Sequence, residues 1–373
     1  MKIVKLITSH GGVGYSGKGG HYHSLSTIGE ALDDPFKIEA FSFGQQPSQV
    51  LQDRRIYKDH IYIDKVTDLL SYNRHNELID SIRSADVVHC YDKESLIQGA
   101  KLARHFNKPL AFTRCGGKNP QTYFPFVPNA VFFSKENLSY FKERRLTGDN
   151  AHVIQNRIKR VKSDQRRIEL LKQRYSILDE PVVLHIARFS RQYQFSHLQA
   201  IDFAKHLRGR GVKCKLLLIG HDIDHDVTAL IRESIEKDDH LITEPAFCRN
   251  ANELIDVADY VVGQGRVIME AAQFGKQLYV TTLNHDLPVL VTDRNIETFL
   301  YYNMTGRAVD DDMINSVQEE GIDGKQLFDT FFSIDNLSEK YEGFYHNCVT
   351  NKNKLRRRDE LLMSLNKSLK MIR

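Results

Sequence analysis

At roughly 150 residues per domain, a chain of 373 makes two domains or slightly more, which excludes a single small binding module. Its 41% hydrophobic and 27% charged residues supply apolar surface for two cores and exclude wholesale disorder. The formal charge, 52 basic against 48 acidic residues, is only +4, far from the basic excess of a dedicated nucleic-acid binder, so no nucleic-acid partner is expected.

Apolar runs such as Leu216 to Ile219 fall far short of the roughly 20 residues a bilayer span needs. The opening MKIVKLITSHGG carries no signal-peptide core or cleavage site, so a cytoplasmic location is expected. Cys90, Cys115, Cys214, Cys248 and Cys348 are odd in number and widely separated, with no CxxC pair and no disulfide framework, and read as reduced thiols.

Short β-rich runs alternate with longer helical patterns: Ile3 to Ile7, Ile38 to Phe43, Val87 to His89, Leu110 to Thr113, Ala130 to Phe133, and the strand-like His152 to Asn156. A first helix is expected from about Gly20 to Leu32, where Tyr22, Leu25, Ile28 and Leu32 fall on one face. The charged stretch KRVKSDQRRIELLKQRY then marks a domain boundary. Beyond it the alternation restarts, with strands at Val182 to Ile186, Lys213 to Ile219, His240 to Thr243 and Tyr260 to Val262, and helices around Asp226 to Lys237 and Asn252 to Val257. From about Gln326 the pattern is helical and ends in a basic segment containing Arg356 to Arg358. Two doubly wound α/β domains follow.

The first glycine-rich loop, GGVGYSGKGG, contains GxGxxG at Gly12, Gly14 and Gly17, a dinucleotide signal. The acidic residue needed for the ribose is missing, because FKIEAFSFG runs into Gln45 and Gln46. The same loop nearly spells a phosphate-hydrolysing Walker motif, but Gly19 follows Lys18 where a hydroxyl should hold magnesium. Asp222, Ile223 and Asp224, with His221, His225 and Asp226 nearby, form a DxD that reads more readily as turn and helix-cap residues than as a metal site.

The stretch Val257 to Val280 is the most informative. A strand ending at Val262 meets Gly263 and Gly265, and a helix begins near Arg266 and carries Glu270 about one turn in. Free N–H groups of Arg266, Val267 and Ile268 and the helix dipole suit a diphosphate, and Glu270 suits ribose hydroxyls.

These residues resemble the signature of the retaining GT-B glycosyltransferases, the large bacterial cell-envelope group of family 4-like enzymes. The resemblance runs through Gly17 to Gly20 with HYHSLSTIGEAL, ADVVHCYD at Ala85 to Asp92, KPLAFTRCGG at Lys108 to Gly117, VIQNRI at Val153 to Ile158, VVLHIARFS at Val182 to Ser190, and LLLIGHD at Leu216 to Asp222. It implies two doubly wound Rossmann-like domains facing a cleft: an acceptor-side domain over 1–160, a nucleotide-sugar domain over 161–345, and a C-terminal helix over 346–373 crossing back. The implied reaction is retaining, metal-independent transfer of a sugar from a UDP- or GDP-sugar to a cell-surface polysaccharide, lipopolysaccharide or lipid-linked acceptor, with no further cofactor.

By the same resemblance Arg188 is catalytic, with Cys115 a second candidate. Gly19, Gly20, Arg188, Gly263, Gly265, Arg266, Val267, Ile268 and Glu270 bind the donor, and His21, His89, Arg114 and Lys118 face the acceptor. His10 and His23 also lie near the implied cleft. Arg144, Arg145 and Arg356 to Arg358 could bring the enzyme to anionic lipid at the inner membrane face. Three departures stand out: Val262 replaces the first member of the family's acidic pair, Tyr193 and Gln194 stand where a basic partner of Arg188 belongs, and Cys115 replaces a histidine. A catalytically inactive partner subunit and a GT-B sugar-nucleotide epimerase are the rival readings.

Overall fold

The computed structural model describes residues 1–9, 19–63, 75–307, 309, 320–335 and 337–350. The chain divides into two compact units, Met1–Arg157 with Ile334–Arg373, and Ile158–Ser333.

In the first unit the strands are β1 (Lys2–Ser9), β2 (Lys37–Gly44), β3 (Tyr57–Tyr62), β4 (Val87–Cys90), β5 (Leu110–Arg114), β6 (Val127–Phe132) and β7 (Thr147–Val153). They form one parallel sheet in the order β3-β2-β1-β4-β5-β6-β7. Helices α1 (Gly20–Leu32), α2 (Asn76–Ser84), α3 (Lys93–His105) and α4 (Lys135–Glu143) connect them. Strand alternation sends Val4 and Leu6 into one core and Ile3 and Ile7 into another, so both faces of the sheet are covered. Asp92 caps α3, accepting from Ser95 N at 2.7 Å, and Ser134 caps α4 through Asn137 N at 3.2 Å.

The second unit repeats this plan. The charged stretch expected as a boundary contains α5 (Gln165–Arg174), capped by Asp164, and it belongs to this unit because Ile168 and Leu171 bury into its core. Then follow β8 (Val182–Ile186), α6 (Gln194–Gly209), β9 (Lys215–Ile219), α7 (His225–Ser234), β10 (His240–Ile242), a single turn α8 (Pro245–Cys248), a 3₁₀ helix (Ala251–Val257), β11 (Tyr260–Gly263), α9 (Arg266–Ala272), β12 (Gln277–Val280), β13 (Val289–Leu290) and α10 (Ile296–Tyr301). The sheet order is β10-β9-β8-β11-β12-β13, parallel except for β12 with β13. This is the doubly wound order, whose reversal falls between β8 and β11.

After Ser333 the chain rejoins the first unit through a return helix, Leu337–Thr350. It starts earlier than the 346 expected from sequence because Leu337, Tyr341, Phe344, Tyr345 and Cys348 already form a helical apolar stripe, which packs on the α1 side of the first sheet. Residues 351–373, including Arg356 to Arg358, lie outside the described residues. Among the described residues no helix is long and apolar enough to cross a membrane.

Candidate functional site

In an open doubly wound sheet, ligands gather at the carboxyl ends of the strands beside the order reversal. In the second unit those strands are β8 and β11, paired with Val262 opposite His185. Arg188 lies two residues past β8, and Gly263 closes β11. Gly265 has φ +60°, a conformation that favours glycine, and its N–H donates to Met304 O at 2.6 Å. A Cβ at Gly263 would lie 2.4 Å from Val267 Cγ1, so a side chain there would force Val267 to shift.

The polar groups around the turn are already engaged. Glu270, with 7% of its side chain exposed, accepts from Arg266 Nε at 2.7 Å and from Asn252 Nδ2 at 3.1 Å. Nη1 of Arg266 is buried with no hydrogen-bond partner among the described residues, so one donor of this guanidinium is unspent. Arg188 lies over the ring of Tyr193, 5.4 Å from its centroid, with Nη2 3.5 Å from the phenol oxygen. Val262, where an acid was expected, is fully buried. Gln194 opens α6 without cationic character.

The donor-side residues Arg188, Gly263, Gly265, Arg266, Val267, Ile268 and Glu270 thus all belong to the second unit, at the ends of adjacent strands. Ile268 is fully buried in the core, so its side chain is unable to touch a ligand and only its backbone remains relevant. Arg191, highly exposed, pairs with Asp224 at 3.1 Å. Asp224 caps α7, and Asp222 accepts from His225 Nδ1 at 2.8 Å and Thr228 Oγ1 at 2.7 Å, so the DxD carboxylates organise a helix start. Among the described residues no group of three or more His, Cys, Asp or Glu is arranged to hold a metal ion.

Gly19 and Gly20 lie in the first unit, as cap and first residue of α1. A Cβ at Gly19 would come within 2.8 Å of the His21 ring, whereas one at Gly20 would meet nothing within 4 Å. His21 is half-buried and its ring lies 4.1 Å from that of Tyr22. Arg114, at the end of β5, folds onto its own loop through Nη2 to Lys118 O at 2.7 Å, while Lys118 itself is exposed. Gly12, Gly14, Gly17, Lys18 and His10 lie outside the described residues. Arg144 and Arg145 are exposed after α4, with the Arg144 guanidinium 4.0 Å from the Tyr140 ring centroid.

One expectation is corrected. His89 is not an acceptor-side contact: it is fully buried, Nδ1 lies 2.8 Å from Tyr345 Oη of the return helix, and Nε2 lies 2.8 Å from Thr113 Oγ1. Burial pushes the thiol of Cys115 up to about 12 and outweighs the nearby Arg114 charge, which favours the protonated thiol. Sequence reasoning also missed His185, His197 and Asn252, which support or pair with the chosen residues, and it named Tyr193 only as standing in place of a base. Only their proximity to Arg188 and Glu270 once folded marks them, and for Asn252 that proximity spans 18 residues of chain.

No protein-family model and no curated protein sequence matches the chain. Among solved structures it is similar to HepE of Anabaena in complex with UDP, at TM-score 0.63 and 16% identity over 93% of this chain and 100% of that one. It is also similar to sucrose-phosphate synthase of Thermosynechococcus elongatus, at TM-score 0.57 and 14% identity over 94% of this chain and 100% of that one. A third is the lipopolysaccharide outer core galactosyltransferase WaaB, at TM-score 0.52 and 15% identity over 95% of this chain and 100% of that one. These likenesses, with the two doubly wound sheets, show a GT-B fold.

Proposed function

We propose that this chain is a glycosyltransferase that moves a sugar from a nucleoside diphosphate donor, a UDP- or GDP-sugar, to a saccharide or lipid-linked acceptor. The observation that carries the reading is the placement of Arg188 after β8 and of the Gly263–Gly265 turn with Glu270 after β11, on adjacent strands at the order reversal of the second sheet. The fold shared with HepE, described in complex with UDP, UDP-glucose, and UDP and glucose, supports it.

As the glycosidic bond breaks, positive charge grows on the sugar and negative charge on the departing nucleoside diphosphate. Arg188 supplies fixed positive charge there, and the unspent Nη1 of Arg266 supplies a second donor on the glycine turn. Glu270 holds the ribose hydroxyls instead of acting as a base. Binding then requires one of its two oxygens to accept from the sugar while the other keeps Arg266 and Asn252. In this reading the reaction retains anomeric configuration, with the leaving phosphate taking the acceptor proton, and requires no metal. In the first unit, Gly19, Gly20, His21, Arg114 and Lys118 keep the roles that the resemblance implies for them, and Arg144 and Arg145 attract an anionic membrane carrying the acceptor.

A second reading, an inactive glycosyltransferase-like partner, draws on the buried Val262 and on the pairing of Glu270 with Arg266. Incubation with UDP-glucose, UDP-galactose, UDP-N-acetylglucosamine and GDP-mannose over an extract of envelope glycolipids separates the two. Transfer predicts release of one nucleoside diphosphate together with a hexose or N-acetylhexosamine mass increment on an acceptor. Nucleotide binding with no increment for any donor would favour the inactive partner.

A further inference from the structure

Beneath the two strand ends lies a histidine pair that the proposed reaction does not use. His185 is on β8 directly opposite Val262, and its Nδ1 lies 2.8 Å from Val262 O. His197, in the first turn of α6, has Nε2 3.2 Å from Arg188 O. The rings meet edge to face at 4.7 Å, and Phe189 stacks on His197 at 4.6 Å. Both are sealed from solvent, at 2% and 0% exposure. Ser196 Oγ, bonded to Tyr193 O at 2.8 Å, approaches His185 Nε2 at 3.3 Å.

A carbonyl oxygen only accepts, so each contact fixes a tautomer: the proton sits on Nδ1 of His185 and on Nε2 of His197. Burial lowers His185 to about 4 and, with His185 as neighbour, His197 to about 3, so both rings stay neutral at physiological pH. The carbonyls they hold belong to the residue before Gly263 and to Arg188 itself. Val262 is the penultimate residue of β11, and Arg188 lies two residues past β8, between Ala187 and Phe189, whose N–H groups bond to Ile219 O and His221 O.

The chemistry argues against mere packing. His197 buries Nδ1 with no hydrogen-bond partner among the described residues, an unfavourable arrangement for a filler. A phenylalanine would occupy the same slot against Phe189 without that orphan. What the histidine adds is the Nε2–H bond to Arg188.

We propose that His185 and His197 are positioning residues, a two-ring clamp that sets the Arg188 and Val262–Gly263 segments at the separation a bound diphosphate requires. This rests on the donor reading above, and the test separates the two. His197→Phe keeps the ring and removes the donor; His197→Gln and His185→Asn return an N–H close to the original position.

Hydrogen exchange and UDP and GDP titration are measured on the full chain and each variant. His197→Phe is expected to keep or raise Tm, to speed exchange at the amides flanking Arg188, and to weaken nucleotide binding about tenfold, the worth of one buried hydrogen bond. His197→Gln is expected to restore exchange and most of the affinity, and His185→Asn to stay near wild type. A merely structural role would lower Tm without this donor-dependent rescue. Unchanged exchange and affinity in a folded His197→Phe overturn the clamp. The expected exchange pattern in a protein that binds neither nucleotide supports the clamp as a loop-setting device and overturns the donor reading.

Discussion

The two sheets share a strand order, and each buries histidine beside its central strands. In the first unit, His89 bonds outward to Tyr345 of the return helix and to Thr113, while Asn150 Nδ2 reaches Phe344 O at 3.2 Å. Lys5 of β1, paired with His89 of β4, is fully buried, with its amine 5.4 Å from the Tyr91 ring centroid and without a hydrogen-bond partner among the described residues. In the second unit, His185 and His197 bond to the backbone of Val262 and Arg188. Polar groups under the first sheet therefore seat a distant segment of chain, whereas those under the second shape strand ends. Position on a strand does not separate these roles; only the partner does.

Arg188→Ala probes the second region hardest. Removing the fixed charge on the leaving diphosphate is expected to cut transfer by about 10²–10³-fold while leaving the fold intact. Unchanged turnover would take the chemistry away from this edge.

Lys5→Met probes the first region with a comparable free-energy effect. Burial lowers the amine from its ordinary 10.5 to about 7, although Cys115 and Asp33 act the other way. Between those values the unfolded chain binds a proton that the folded chain refuses, so stability falls as pH drops from 10.5 to about 7 and levels off below. The substitution should raise stability at pH 7 by on the order of 3 kcal/mol and flatten that slope in chemical denaturation. An undiminished slope would mean that Lys5 is not its source.

Tyr345→Phe leaves His89 Nδ1 without its partner and is expected to cost about 1–3 kcal/mol. Hydrogen exchange should show the loss in the return helix and first sheet and leave β8 and β11 unchanged. If β8 and β11 loosen equally, the two regions are not energetically separate. The smallest effect belongs to Cys115→Ala: a thiol that stays protonated is not a nucleophile, so transfer should stay within about twofold of wild type. Loss of activity with retained Tm would restore Cys115 to the site.

Much of this organisation is legible in the sequence. Helix α1 spans Gly20–Leu32 as its apolar spacing predicts, and β8 spans Val182–Ile186 because an apolar run interrupted only by His185 fits a strand buried on both faces. Strand β3, YKDHIY, is missed because it lies at the sheet edge and four of its six residues are not buried. Helix α5 hides in a charged stretch because only Ile168 and Leu171 face the core. At the candidate site, the Gly263–Glu270 motif stands out because glycines and a helix start leave a local pattern, whereas Arg188 is reached only through the resemblance of VVLHIARFS. The role of His89 is not legible because its partner Tyr345 lies 256 residues away. The clamp depends on side chains bonding to carbonyls across strands, which no local spacing encodes.

The most direct test of the central claim is calorimetric titration of UDP and GDP into wild type, Arg188→Ala and Glu270→Ala. The account predicts saturable binding of one nucleotide to wild type. Both variants should bind it at least about tenfold more weakly, with folding unchanged by circular dichroism. Equal affinity in all three proteins, or no binding of either nucleotide to wild type, would contradict a donor site at the ends of β8 and β11.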